Sequence, residues 1–286
     1  DIVNKVLISK TNVKIINNEI NLGLAESLNI AINNSSGMFL ARMDADDIMD
    51  GDRIYKQVVF LLSNPDIDIL GGSLQYFGES EYYNSFPLSH EQCQALLCFN
   101  VCFGHPAVMF KSSVFEGNEN YYNKNYRQYS EEYDLWCRLS LNFKFANLKD
   151  TLVYYRTYPE VEKNKAEELR RQNSKEIRNK YMMEVFNNYD PLYLPLHHKI
   201  SRYSFDETEQ LIETHSYFNY LMSLNTKLNK GALKFILAQR YFDLCYANIH
   251  LGRKVHWIYI KSKYWKDCKP SFLIYLRFII KTIIKP

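Results

Sequence analysis

Two kinds of hydrophobic patterning divide this chain. In the first, short apolar runs alternate with stretches whose apolar residues recur every three or four positions. Val13 to Ile16 alternates as a strand would. Leu24, Leu28 and Ile32 fall on one face of a predicted helix, with Asn21 as its cap and Gly37 as its stop. Met38 to Met43 reads as a short buried strand. A second helix follows, capped by Asp52, with Ile54, Val58, Leu61 and Leu62 on its buried side and Asn64-Pro65 at its end. Ile67 to Leu70 is another strand, closed by Gly71-Gly72. This alternation predicts an α/β fold, a mostly parallel sheet flanked by helices. Ligands in such sheets bind at the carboxyl ends of strands.

Past Ser89 the spacing changes. Ser89 and Gln92 make a capping box for a short helix through Leu97, and Gly104-His105-Pro106 precedes a strand from Ala107 to Phe110. A Tyr- and Asn-rich loop over 117–129 is long enough to be functional or mobile. Ser130 then opens a helix through Leu139, and Leu152 to Tyr158 is a last strand. From about residue 160 the pattern turns helical, at 162–180, 206–225 and 232–250, with Pro191 and Pro195 marking a loop. The chain therefore divides into an α/β domain, 1–159, and a helical region, 160–286.

Composition sharpens this. At 286 residues, 47% hydrophobic and 15% aromatic, the chain can bury a sizeable core, and its few Gly and Pro exclude a fibrous or disordered one. The net charge of +3 hides an asymmetry: 250–286 carries nine Lys and Arg against the single acid Asp267, on a mildly acidic body. The apolar run Phe272 to Ile284, interrupted by Arg277 and Lys281, is too short and charged to span a bilayer. It predicts an amphipathic helix lying on an anionic membrane surface; the competing reading is a helix docked on the body. Nucleic acid is not an expected partner. Six cysteines without C-x-x-C spacing read as reduced, buried thiols rather than a zinc site. No signal peptide is visible, and the chain opens at Asp1-Ile2-Val3 rather than Met, which suggests a preceding segment.

Chemistry concentrates in two acidic clusters. Asp44, Asp46 and Asp47 end the Met38–Met43 strand. Like charges this close oppose one another unless a cation or strong donors neutralise them, and a divalent metal carrying a diphosphate does so; oxygen ligands suit Mg²⁺ or Mn²⁺. A solvated acidic loop is the plainer alternative. A calcium loop fails because Ile48 stands at a ligand position, and a phosphatase-type nucleophile lacks its supporting motifs. The second cluster, Glu131, Glu132 and Asp134, opens a helix, where the dipole favours acids, yet three in four residues exceed what capping needs. Trp136, behind them, is expected in the core.

Three stretches together resemble the inverting family-2 glycosyltransferases of GT-A fold: Asn21-Leu22-Gly23-Leu24-Ala25-Glu26-Ser27-Leu28-Asn29, Ala41-Arg42-Met43-Asp44-Ala45-Asp46-Asp47, and Ser130-Glu131-Glu132-Tyr133-Asp134-Leu135-Trp136. Gly104-His105-Pro106 and Tyr155-Arg156 match two weaker positions, so the resemblance covers residues 1 to about 158. It implies a bacterial-type enzyme transferring a hexose or N-acetylhexosamine from a UDP-sugar to a glycan or lipid-linked acceptor in surface-polysaccharide synthesis, such as lipopolysaccharide or capsule. Such an enzyme would work in the cytoplasm, peripheral at the inner face of the cell membrane. On this resemblance Asn21, Gly23, Asn29, Arg42, Asp44 and Arg156 contact the nucleotide-sugar, Asp46 holds Mn²⁺ or Mg²⁺, and Glu132 is the general base. Glu131, Asp134 and His105 give possible catalytic support. The chain departs from the family where Glu131-Glu132 replaces Glu-Asp and where Tyr158 stands in place of a histidine. The family's first strand and uracil-contacting aspartate would lie upstream of Asp1. A catalytically inactive module of this fold, binding sugar nucleotide or glycan as an interaction subunit, is the alternative.

Overall fold

The computed structural model describes residues 12–116, 121–126, 129–159, 164–268 and 270–284. Of the expected 117–129 loop, residues 117–120 and 127–128 lie outside these, as do Glu162, Lys269 and Lys285 of the expected helical and basic segments. Helix α1 (Leu24–Asn33) leads into strand β1 (Phe39–Ala41). The acidic turn runs to β2 (Ile48–Met49), α2 (Arg53–Ser63), β3 (Ile69–Gly78), β4 (Tyr82–Asn84) and α3 (His90–Leu97). Then come β5 (Met109–Lys111), α4 (Glu131–Leu139) and β6 (Phe145–Thr157). Ser89 accepts from the backbone of Gln92, as the capping box requires.

The sheet runs β1-β5-β3-β6-β2, with β4 paired to β3. It is mixed, but one expectation needs correcting: only the long β3–β6 ladder is parallel, and the other ladders among the described residues are antiparallel. Apolar periodicity predicts which face a strand buries, not the direction in which its partner runs. Val13–Ile16 pairs with no strand among the described residues and is exposed. The cap of α1 is Gly23, at φ +83°, and Asn21 instead accepts its backbone N–H.

Helix α2 corrects a second expectation. Its buried residues are Arg53, Gln57 and Leu61, while Ile54 and Leu62 are exposed. The helix lies over strand ends whose carbonyls need donors, and polar side chains meet that need. Arg53 donates to Arg42 O at 2.8 Å and Val108 O at 3.3 Å, and through Nε to Gln57 Oε1 at 2.9 Å. Gln57 passes donors on to Leu70 O and Ala107 O, both at 3.0 Å. Burial lowers the Arg53 pKa to about 10, which leaves it charged at neutral pH. This pair fixes the ends of β1, β3 and β5 together.

The helical region comprises α5 (Asn164–Val185), α6 (Leu194–Arg202), α7 (Glu209–Ser223), α8 (Lys230–Ala247), α9 (Lys254–Lys261) and α10 (Phe272–Ile284). Pro191 and Pro195 open a 3₁₀ turn and α6 rather than lying in an extended loop, because proline suits a first turn whose N–H is unused. One apolar core spans both halves: Phe99, after α3, meets His197 and Phe218 at 4.9 and 6.0 Å between ring centres. Trp136 is fully buried against Phe103 and Phe110. Five cysteines are buried, Cys268 is half-buried, and all are free. Helix α10 docks through Phe278, buried against Phe242 and Tyr259, yet leaves Phe272, Leu273, Ile274, Leu276 and Ile280 exposed. Among the described residues no helix is long and apolar enough to cross a membrane.

Candidate active site

Where β1 ends, the chain turns outward and the acidic cluster begins. Arg42, buried, pairs with Asp44, and both line a cleft of about 810 Å³. The turn is stapled to β6: Arg156 donates its backbone N–H to Asp47 Oδ1 at 2.8 Å and its Nε to the Asp46 carbonyl at 2.9 Å. Tyr158, where the family has histidine, donates its hydroxyl to Asp46 Oδ2 at 3.0 Å. The other Asp47 oxygen, Oδ2, is buried without a partner. Burial chiefly, with repulsion from Asp44 and Asp46, raises the Asp47 pKa. A cluster of three carboxylates with an orphaned buried oxygen fits a hard divalent cation.

Of the second acidic cluster, Glu131 and Glu132 face the cleft that Asp44 lines, while Asp46 and Asp47 lie outside its lining. Tyr129 and Ser130 both adopt left-handed backbone, φ +68° and +71°, and this turn starts α4 with Glu131 and Glu132 on the cleft wall. Glu131 is 4% exposed, and burial, reinforced by repulsion from Glu132, raises its pKa to about 7. Burial likewise raises that of Glu132. Near pH 7 Glu131 is therefore partly protonated, and Glu132 beside it holds a proton more readily than an ordinary glutamate, which suits a carboxylate that takes up a proton.

His105 completes the wall. It is carried by a short turn that passes close over β3, so close that a Cβ on Gly104 would lie 2.6 Å from Leu74 Cδ1. Its Nε2 meets the Tyr122 hydroxyl at 2.9 Å, and burial keeps its pKa well below normal, so the ring is neutral. Ligand atoms of His105, Glu131 and Glu132 lie within 4.8 Å of one another, a second place where three donors could hold a cation.

Several expected residues go elsewhere. Asp134 accepts from Arg138 Nε at 2.8 Å, one turn on, and Arg138 also bonds Tyr121 O; neither lines the cleft. The buried Asn29 amide is consumed by the Tyr122 backbone, donating to its carbonyl at 2.9 Å and accepting its N–H at 3.0 Å. That bond needs the whole side chain, so Asn29 shapes the floor under His105 rather than facing a ligand. Asn21 and Gly23 form a separate shallow loop surface. Arg156 lies over the Phe77 ring at 4.6 Å, outside the cleft lining. Conversely, the cleft gains Arg170 from α5 and Gln239, Arg240 and Asp243 from α8. Nothing in their local pattern marks them: in the sequence they are ordinary polar positions on helices.

A family model for glycosyl transferase family 2 matches residues 1–118. An uncharacterised glycosyltransferase of Haemophilus influenzae is 30% identical over 246 residues, covering 78% of this chain and 73% of the relative. The O-antigen biosynthesis glycosyltransferase WbnJ of Escherichia coli is 32% identical over 143 residues, 47% of this chain and 54% of that protein. The amylovoran biosynthesis glycosyltransferase AmsE of Erwinia amylovora is 32% identical over 141 residues, 48% of this chain and 52% of that protein. The chain thus spans about half the length of WbnJ and AmsE. In fold it is similar to residues 1–349 of S. aureus TarS, solved with UDP-GlcNAc, at a TM-score of 0.52 and 14% identity, covering 93% of this chain and 77% of that one. Asp44 of the first acidic cluster and Glu131 and Glu132 of the second, about ninety positions apart in sequence, line one cleft on a mixed α/β sheet, and with a relative matched along most of both lengths, the chain belongs to the family 2 glycosyltransferases.

Proposed function

We propose that this enzyme transfers a hexose or N-acetylhexosamine from a UDP-sugar to a glycan or lipid-linked acceptor, with inversion and with a divalent metal, in the synthesis of a surface polysaccharide. The observation that carries this reading is the shared cleft, lined both by the buried Glu131 with its neighbour Glu132 and by the Arg42–Asp44 pair. Named functions among the relatives, O-antigen and amylovoran synthesis, support the product class, and the fold neighbour solved with UDP-GlcNAc supports the donor class.

The chemistry follows from the side chains. Asp44, oriented by Arg42, holds the donor's ribose side. A Mn²⁺ or Mg²⁺ ion bound by Asp46, with the free Asp47 oxygen beside it, would neutralise the leaving diphosphate. Glu132 takes the proton of the acceptor hydroxyl as that oxygen attacks the anomeric carbon. The bond to the diphosphate breaks on the opposite face, so a single displacement inverts the centre. Glu131, partly protonated near pH 7, limits the negative charge beside Glu132. Gln239 and Phe235 of α8, across the cleft, form the acceptor's side. The enzyme works on the cytoplasmic membrane surface, with the exposed apolar residues of α10 and the basic tail facing an anionic leaflet.

Titration of UDP with and without Mn²⁺ tests the assignment. Asp46→Asn should abolish the Mn²⁺-dependent part of UDP affinity and leave the fold intact, whereas Glu131→Gln should keep it. Metal-dependent binding that survives in Asp46→Asn and vanishes in Glu131→Gln would move the ion to the His105–Glu131–Glu132 group.

A further inference from the structure

A second groove, of about 850 Å³, runs between α5 and α6 and meets the catalytic cleft at Arg170, which lines both. Five of its ten lining residues are cations, against two acids. Lys175 and Arg202 are exposed along it, and Arg178 is 8% exposed at its base. Its acids, Glu167 and Glu168, are both engaged by Arg171, so they do not neutralise the others.

The base of the groove holds two donors with nothing to donate to. Arg178 Nη1 donates to His198 Nδ1 at 3.3 Å. Because a guanidinium can only donate, His198 Nδ1 must be an acceptor, which places the ring's own proton on Nε2. Burial, with the nearby positive charges of Arg178 and Lys175, lowers the His198 pKa to about 4, so the ring is neutral in ordinary buffers. His198 Nε2–H is then a buried donor without a partner, and Arg178 Nε–H is another. Buried donors are normally satisfied, and leaving two on one groove is unfavourable. Acceptor oxygens entering the groove would satisfy them. The surrounding positive charge selects that oxygen's owner: a neutral hydroxyl gains little here, while an oxyanion with several lone pairs gains from every neighbour.

We propose that this groove is a binding site for a phosphate group, phosphate or diphosphate, seated on Arg178 Nε and His198 Nε2 and flanked by Lys175 and Arg202. Resting on the glycosyl-transfer reading above, the phosphate belongs to the acceptor. The groove and the cleft share Arg170, and the Ser174 hydroxyl on the groove wall bonds the Ser130 hydroxyl at 2.9 Å, at the head of the helix that bears Glu131 and Glu132. A phosphate held there places the rest of its molecule toward the base. It thereby selects phosphate-bearing acceptors over neutral glycans.

Isothermal titration of inorganic pyrophosphate into the full chain, in EDTA at low ionic strength, tests the site without a metal-dependent donor site competing. The wild type should bind, and affinity should fall steeply with salt. Lys175→Ala/Arg202→Ala, whose side chains are exposed, should fold normally and bind about tenfold or more weakly. His198→Phe, which removes the Nε2 donor, should weaken binding by a similar factor with its melting temperature as the folding control. Geranyl diphosphate and glycerophosphoglycerol then identify the source: preference for the first assigns a lipid carrier, and preference for the second a phosphodiester chain. No binding by the wild type, or equal binding by wild type and the double variant, overturns the proposal. UDP binding with Mn²⁺, measured on the same proteins, should be unchanged; its absence in the wild type would count against the donor assignment and not against the groove.

Discussion

Replacing Glu131 by glutamine keeps the side chain's size and removes its charge, and the structure sets the size of the effect. Glu131 is almost wholly buried, and its pKa rises from the ordinary 4.5 to about 7. Between those values the folded protein holds a proton that the unfolded chain has released. Stability therefore falls as pH rises through this window and stays low above it. An interval of about 2.5 pH units at about 1.4 kcal/mol each sets an upper limit of about 3.5 kcal/mol, of which about 3 falls above pH 5. Glutamine does not titrate, so Glu131→Gln should match the wild type near pH 5 and exceed its stability at pH 8 by up to about 3 kcal/mol. Urea denaturation of both proteins at the two pH values measures this directly. Because repulsion from Glu132 is the second cause of the shift, Glu132→Gln should remove part of the same pH dependence. A stability difference between wild type and Glu131→Gln that is the same at pH 5 and pH 8 would refute the reasoning.

Glu132→Gln should lower transfer by about 10² to 10⁴-fold while leaving UDP affinity intact, measured as product formed per enzyme; a larger loss in Asp134→Asn would place the base on the other side of the helix. Asn29→Ala deletes two buried bonds to the Tyr122 backbone and should cost about 2 kcal/mol in urea denaturation, with UDP affinity unchanged. Co-sedimentation should show the full chain binding anionic vesicles at low salt and releasing as salt rises, and Leu273→Ser/Leu276→Ser should weaken that binding without lowering the melting temperature, since both side chains are exposed. Binding that ignores lipid charge would remove the membrane role.

The strand-end acids, the Ser89 capping box, the burial of Trp136 and the helical nature of 272–284 were legible because each depends on neighbours within a few residues. Arg53 and Gln57 were not. They occupy the buried face of α2 because carbonyls of Arg42, Leu70, Ala107 and Val108 converge there, and periodicity registers polarity rather than a distant partner's need. Asn29 misled for a related reason: its position matches a ligand-binding motif, while its amide is spent on a backbone 93 residues away. The direction of strand pairing and the contributions of Arg170 and α8 to the cleft escaped likewise. They are properties of how elements return, which no local window contains.

The left-handed pair Tyr129–Ser130 has a consequence for how this enzyme can change. A non-glycine residue in that conformation costs about 1–2 kcal/mol, and here two stand together immediately before the paired acids. Glycine at either position would relieve that cost while giving the turn freedom to swing Glu131 and Glu132 away from the cleft. A laboratory lineage selected for thermal tolerance alone would be drawn toward such glycines and would drift out of activity. One selected on turnover would hold the two side chains in place, so the identity of residues 129 and 130 in evolved variants would record which pressure had acted.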